Sequence, residues 1–122
     1  MARLSIRIDL APGLRIGPGK VQLLEMVAGH GSIAAAGRAL GMSYRRAWML
    51  IEEMNKGFDQ PVVDAQIGGR AGGGARLSPL GADLVAHYRA IERAADHAAA
   101  PFLDRLAAPA ARTEDEAHPD PA

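Results

Sequence analysis

Cysteine is absent from the 122 residues, which excludes disulfides and thiolate metal sites alike. Aromatic side chains are scarce, with one Trp, two Tyr and two Phe. Ala and Gly supply much of the 48% apolar content, so close helix packing fits better than a wide cavity around a large ligand. No apolar run approaches the roughly 20 residues that span a bilayer. The opening MARLSIRIDL alternates apolar and charged residues and lacks the apolar core of a signal peptide. The expectation is a cytoplasmic protein with no membrane partner and no cofactor. Net charge is also lacking, with 14 basic residues against 14 acidic. The distribution is uneven, however: residues 1–103 hold 12 Lys and Arg against 9 Asp and Glu, and residues 104–122 hold 2 against 5. The length suits one mildly basic domain followed by an acidic tail.

Along the chain, Leu4, Ile6, Ile8 and Leu10 alternate with Arg3, Ser5, Arg7 and Asp9, a period of two that predicts a half-buried strand. Pro18 suits the first turn of a helix, whose apolar stripe is Val21, Leu24, Met26 and Val27 with Leu23 at its margin. Gly29-His30-Gly31 stops it. Two short helices follow within 32–56, capped by Ser32 and Ser43 and joined through Gly41, which suits a left-handed C-cap. Gly37 is small enough to let them cross closely. On the second of the pair, Ala47, Leu50, Ile51 and Met54 share one arc, while Arg45, Met49, Glu52 and Glu53 point away. Two short strands, 61–67 and 76–78, bracket the glycine-rich GGRAGGGA. Ser78-Pro79 then opens a long helix on which Leu80, Leu84, Tyr88, Ile91, Ala95, Ala98 and Phe102 recur at helical spacing.

The predicted architecture is mostly α with a small β wing: a winged helix-turn-helix over 1–78, its helix-turn-helix at 32–56 and its wing at 62–78. A long dimerisation helix follows over 79–106, and 107–122 is expected to be a disordered acidic tail, being Pro, Ala and acid without periodicity. In such a fold the second helix of the pair enters the DNA major groove.

The runs G-S-I at 31–33, S-Y-x-x-A-W at 43–48, E-M-N at 53–55 and the GG-x-x-GGGA wing resemble the N-terminal DNA-binding domain of ModE-type molybdate-responsive regulators. The likeness covers about residues 3–103 and concentrates in 31–81. It implies a winged helix-turn-helix, a dimer held by the long helix, and regulation of molybdenum-related genes. A more distant similarity joins it to the winged helices of LysR-type regulators. The sequence given runs from the long helix into its tail without molybdate-binding domains, so the expectation is a stand-alone DNA-binding unit.

Arg45 and Arg46 are the chief candidates for DNA contact, since an arginine near the start of a recognition helix reaches guanine O6 and N7 in bidentate fashion. Arg45 stands opposite the apolar arc; Arg46 lies on its flank, nearer to phosphate. Tyr44, Trp48 and Met49 complete the exposed end, although a lone Trp beside an apolar arc more often packs on the neighbouring helix. Ser32 and Ser43 are phosphate donors in one reading and plain helix caps in the other. Lys20, Arg70 and Arg76 are the backbone-binding candidates. Leu80, Leu84, Tyr88, Ile91, Ala95 and Phe102 are the candidate dimer interface. The four histidines are scattered, and Ser78, Asp83 and His87 have no oxyanion-hole signature beside them, so no metal or catalytic site is read. The expected partners are double-stranded DNA and a second copy of the chain. Two alternatives come from other classes: an interaction subunit whose long helix pairs with a separate ligand-sensing protein, and a small oxyanion-binding protein holding molybdate by wing N–H groups and arginines.

Overall fold

A computed structural model describes residues 2–66 and 74–111. An N-terminal hairpin, β1 (Ile8–Ala11) with β2 (Leu14–Ile16), precedes helices α1 (Pro18–His30), α2 (Ile33–Ala39) and α3 (Tyr44–Gly57). A second antiparallel pair, β3 (Val63–Gln66) with β4 (Gly74–Leu77), leads into α4 (Pro79–Ala107) and a 3-10 turn at Pro109–Ala111. This is a winged helix followed by a long C-terminal helix, the architecture expected from the sequence. Ser5–Arg89 form one compact unit; residues 90–111 with 2–4 belong to another. Among the described residues no helix is long and apolar enough to cross a membrane.

The core of the first unit is built on α1, whose Val21, Leu23, Leu24 and Val27 are closed off from solvent. Ile33 and Ala36 of α2, and Ala47, Ile51 and Met54 of α3, pack into the same cluster. Val62, Val63 and Ala75 bring in the wing strands, and Leu14 and Ile16 bring in β2. Each large apolar side chain removed from water this way contributes roughly 1.5–3 kcal/mol, so a three-residue strand burying two of them is no minor element.

The N-terminus differs from its sequence reading. Instead of one strand over 3–10, a turn at Pro12-Gly13 folds the chain back, with Gly13 at φ 81°, and Leu14–Ile16 pairs with Ile8–Ala11. Three residues are too few to register as a period, yet their buried–exposed–buried order is the half-buried strand pattern in miniature. A register shift between Asp9 and Ala11 breaks the alternation, so Leu10 is 49% exposed where the period of two turned it inward.

Downstream, Ser78 is buried and plays a double part. Its Oγ accepts from the Gly81 N–H at 3.0 Å as the cap of α4 and donates to the Pro61 carbonyl at 2.7 Å. Gly81 packs so closely on the Val62 carbonyl that a Cβ added there would sit 2.1 Å from its oxygen. α4 holds Pro101 in its interior, where the ring removes the N–H that would otherwise bond to His97. The sequence reading begins the unstructured tail at 107; Ala107 instead closes α4, a short turn follows, and 112–122 lie outside the described residues.

Candidate nucleic-acid interface

The helix pair is set by its caps and its glycines. Ser32 Oγ accepts from the Ala35 N–H at 3.0 Å and Ser43 Oγ from the Arg46 N–H at 3.1 Å, which starts α2 and α3 where the sequence placed them. Both serines are thereby engaged as caps. Between the helices Gly41 takes φ 71°, and the Met42 N–H donates to the Gly37 carbonyl at 2.9 Å. A Cβ at Gly37 would stand 3.2 Å from that of Ala47, so the two helices cross at near backbone contact.

With Ala47, Ile51 and Met54 facing the core, the opposite side of α3 is left to solvent. Tyr44 is 57% and Met49 55% exposed, and Arg45 and Arg46 are exposed beside them. Trp48 is half-buried and packs on the core, as the sequence reading favoured for a lone Trp at that position. The start of α3 therefore offers two cations, a phenol and a thioether on a helix that its other face holds rigid.

The backbone-binding candidates separate. Arg76 is exposed on β4, cross-strand from Asp64. Arg70 and glycines 68, 69, 72 and 73 lie outside the described residues. Lys20 is already tied: its Nζ donates to the Arg15 carbonyl at 2.9 Å and lies 3.3 Å from Glu53 Oε1. The wing is fastened to the helices at two points. The Ala75 N–H donates to the Gly31 carbonyl at 2.9 Å, and Asn55 of the E-M-N run bonds to both Val62 and Val63.

Sequence reasoning passed over two arginines. Arg7, just before β1, and Arg15 of β2 join Lys20 and Arg46 around an open cleft of about 300 Å³, also lined by Gly17, Pro18, Gly19, Met42 and Leu50. Arg15 Nε donates to Asp9 Oδ1 at 2.7 Å, a bond that raises the pKa of the guanidinium. Among the described residues Arg7 and Arg46 make no ion pair. The outward face of the first strand gives a signal for Arg7, but the Leu-Arg-Ile triplet is too short to give one for Arg15, and the cleft becomes visible only once the hairpin closes.

The dimer candidates also divide. Tyr88 is 2% exposed and donates its hydroxyl to the Ile6 carbonyl at 2.6 Å, while Leu80 and Leu84 pack against the core of the subunit itself. Those three side chains are engaged within one copy. Ile91 (45%) and Phe102 (67%) are exposed, with Ala95 half-buried between them.

No family model matches the chain. Among known proteins it is 43% identical over 94 residues to the molybdenum-pterin-binding protein MopA of Rhodobacter capsulatus, covering 77% of this chain and 35% of that protein. It is 49% identical over 80 residues to MopB of the same organism, covering 66% and 30%. To the DNA-binding transcriptional dual regulator ModE of Escherichia coli K12 it is 34% identical over 87 residues, covering 71% and 33%. The chain is a homologue of part of the ModE and Mop proteins. It spans about a third of the length of the ModE and Mop relatives that it matches.

Proposed function

We propose that the chain is a sequence-specific DNA-binding regulator that acts as a homodimer on an inverted repeat in molybdenum-related genes. The observation that carries this reading is the exposed start of α3, where Arg45, Arg46, Tyr44 and Met49 stand on a helix whose other face is locked into the core. Arg45 is the base reader and Arg46 reaches phosphate; Arg70 and Arg76 of the wing bind backbone. The names of the relatives, a DNA-binding transcriptional regulator and molybdenum-pterin-binding proteins, support the same assignment. Acting on DNA without chemistry of its own, such a regulator works in the cytoplasm.

For the dimer, Ile91, Ala95, Ala98, Phe102 and Leu106 fall within one arc of α4 at 100° per residue. Ile91, Phe102 and Leu106 are large and exposed. On an inverted repeat the two recognition helices of a homodimer enter successive major grooves about 34–36 Å apart, one helical turn of DNA. A separate sensor protein seated on the same arc is the competing partner.

The test is selection of duplexes from a random pool by the full chain, followed by footprinting with variants. Arg45→Ala relaxes sequence preference, whereas Arg70→Ala and Arg76→Ala weaken all duplexes alike and reduce the salt dependence. Variants indistinguishable from wild type in both respects would sink the assignment.

A further inference from the structure

We propose that the cleft between the β1–β2 hairpin, the start of α1 and the flank of α3 seats a backbone phosphate of the DNA that α3 reads, held by Arg7, Arg15 and Arg46. The inference rests on the DNA-reading proposal and adds a contact in which Arg7 and Arg15, outside both the helix pair and the wing, join Arg46 of α3. Four of the cleft's lining residues are cationic: Arg7, Arg15, Lys20 and Arg46. Against them stand two carboxylates, Asp9 on Arg15 at 2.7 Å and Glu53 on Lys20 at 3.3 Å. Two positive charges remain over, and Arg7 and Arg46 are the ones without an ion pair among the described residues. Cations gathered around one concavity repel each other, and an anion placed among them adds an attraction to each that offsets the repulsion.

The placement favours a phosphodiester over a small free ion. Arg46 belongs to the cleft and Arg45 to the reading face, so a strand lying against one runs directly onto the other. The cleft sits at the first turn of α1, whereas β4 is bonded to Gly31 at the far end of the same helix. Thirteen residues of helix span about 20 Å. Cleft and wing therefore form two supports spaced widely enough to straddle a major groove about 12 Å across. Arg7 is held at the rim by its own stem, which lies over Gly17: a Cβ on that glycine would meet Arg7 Cγ at 3.0 Å.

The experiment is a salt titration of the full chain on a duplex recovered by selection and on a scrambled duplex, comparing wild type with Arg7→Gln/Arg15→Gln. Both residues are exposed, and circular dichroism verifies that the variant folds. Each neutralised phosphate contributes about 0.9 to the slope of log K against log salt. The double variant is expected to lose about one unit of slope and to bind both duplexes about tenfold more weakly near 0.1 M salt, their ratio unchanged. Arg7→Lys/Arg15→Lys restores the slope. An unchanged slope, in a chain whose Arg45→Ala variant still alters the ratio, overturns the cleft assignment and leaves DNA reading intact. Calorimetric binding of sodium phosphate or molybdate that the double variant abolishes, with the DNA slope unmoved, overturns it in favour of a free-oxyanion site. A wild type that retains no duplex removes the DNA reading and this inference together.

Discussion

Asn55 and Val63 hold each other by two hydrogen bonds: the Val63 N–H donates to Asn55 Oδ1 at 3.2 Å, and Asn55 Nδ2 donates to the Val63 carbonyl at 3.3 Å. The Val62 N–H adds a third bond to the same Oδ1 at 2.8 Å. A side-chain amide thus stands in for a strand neighbour, fixing the first wing strand to the last turn of α3.

Asn55→Ala strands two backbone N–H groups beside the core, and an unsatisfied polar group of that kind costs about 1–3 kcal/mol. We expect a stability loss of about 2 kcal/mol, read as a lower urea midpoint with an unchanged m-value. Asn55→Asp keeps the acceptor and loses the donor, so it should fall between wild type and the alanine variant. Equal midpoints for all three would show that the amide bonds contribute nothing net.

Gly81 and Gly29 should respond in opposite directions to the same methyl group. At Gly81 an added Cβ meets the Val62 carbonyl oxygen at 2.1 Å, so Gly81→Ala forces backbone apart and should cost more than about 3 kcal/mol. At Gly29, inside α1, nothing lies within 4 Å, and Gly29→Ala should stabilise by about 0.4–1 kcal/mol. Thermal melts of the two variants settle the pair.

Glu25 and Arg89 form a two-point ion pair, Nη2 to Oε1 at 2.6 Å and Nε to Oε2 at 2.9 Å. Those hydrogen bonds from Arg89 lower the Glu25 pKa, outweighing the desolvation that would raise it. A carboxylate whose pKa is lower folded than unfolded contributes stability above the unfolded value, and that contribution fades as pH falls through the folded one. Stability should therefore decline below the ordinary glutamate range, and Glu25→Gln should flatten that acid limb. Both side chains are a third exposed, so the effect at neutral pH stays within about 1 kcal/mol. Denaturant midpoints across the acid range measure it.

Phe102→Glu, alone or with Ile91→Glu, places charge on the exposed arc of α4. Sedimentation equilibrium should show the association constant falling at least tenfold, with the monomer's melting temperature unchanged. A dimer that persists in the double variant would move the interface elsewhere.

Much of this architecture was legible because it depends on local chemistry. Ser32, Ser43 and Ser78 cap the helices they were read as capping, and Ala47, Ile51 and Met54 share the buried arc that their spacing indicated. What stayed hidden depends on distant partners. Nothing near Tyr88 reveals that its hydroxyl ends on Ile6, so its place in the apolar stripe suggested an intersubunit role. Arg7 reads as the solvent face of a strand and Arg15 carries no local signal; the turn at Gly13 folds the chain so that both line one cleft with Lys20 and Arg46. Asn55 stands in the sequence only as the last residue of the E-M-N run, and its grip on the wing emerges only with the strand in place.

The bond from Tyr88 to Ile6 joins positions 82 residues apart, and ordering a loop that long must precede any gain from closing it. During synthesis the β1–β2 hairpin is made well before its clasp, which arrives with the third turn of α4. The helix pair can fold while that clasp is still being made. Closure of this long-range contact is thus timed by the synthesis of α4.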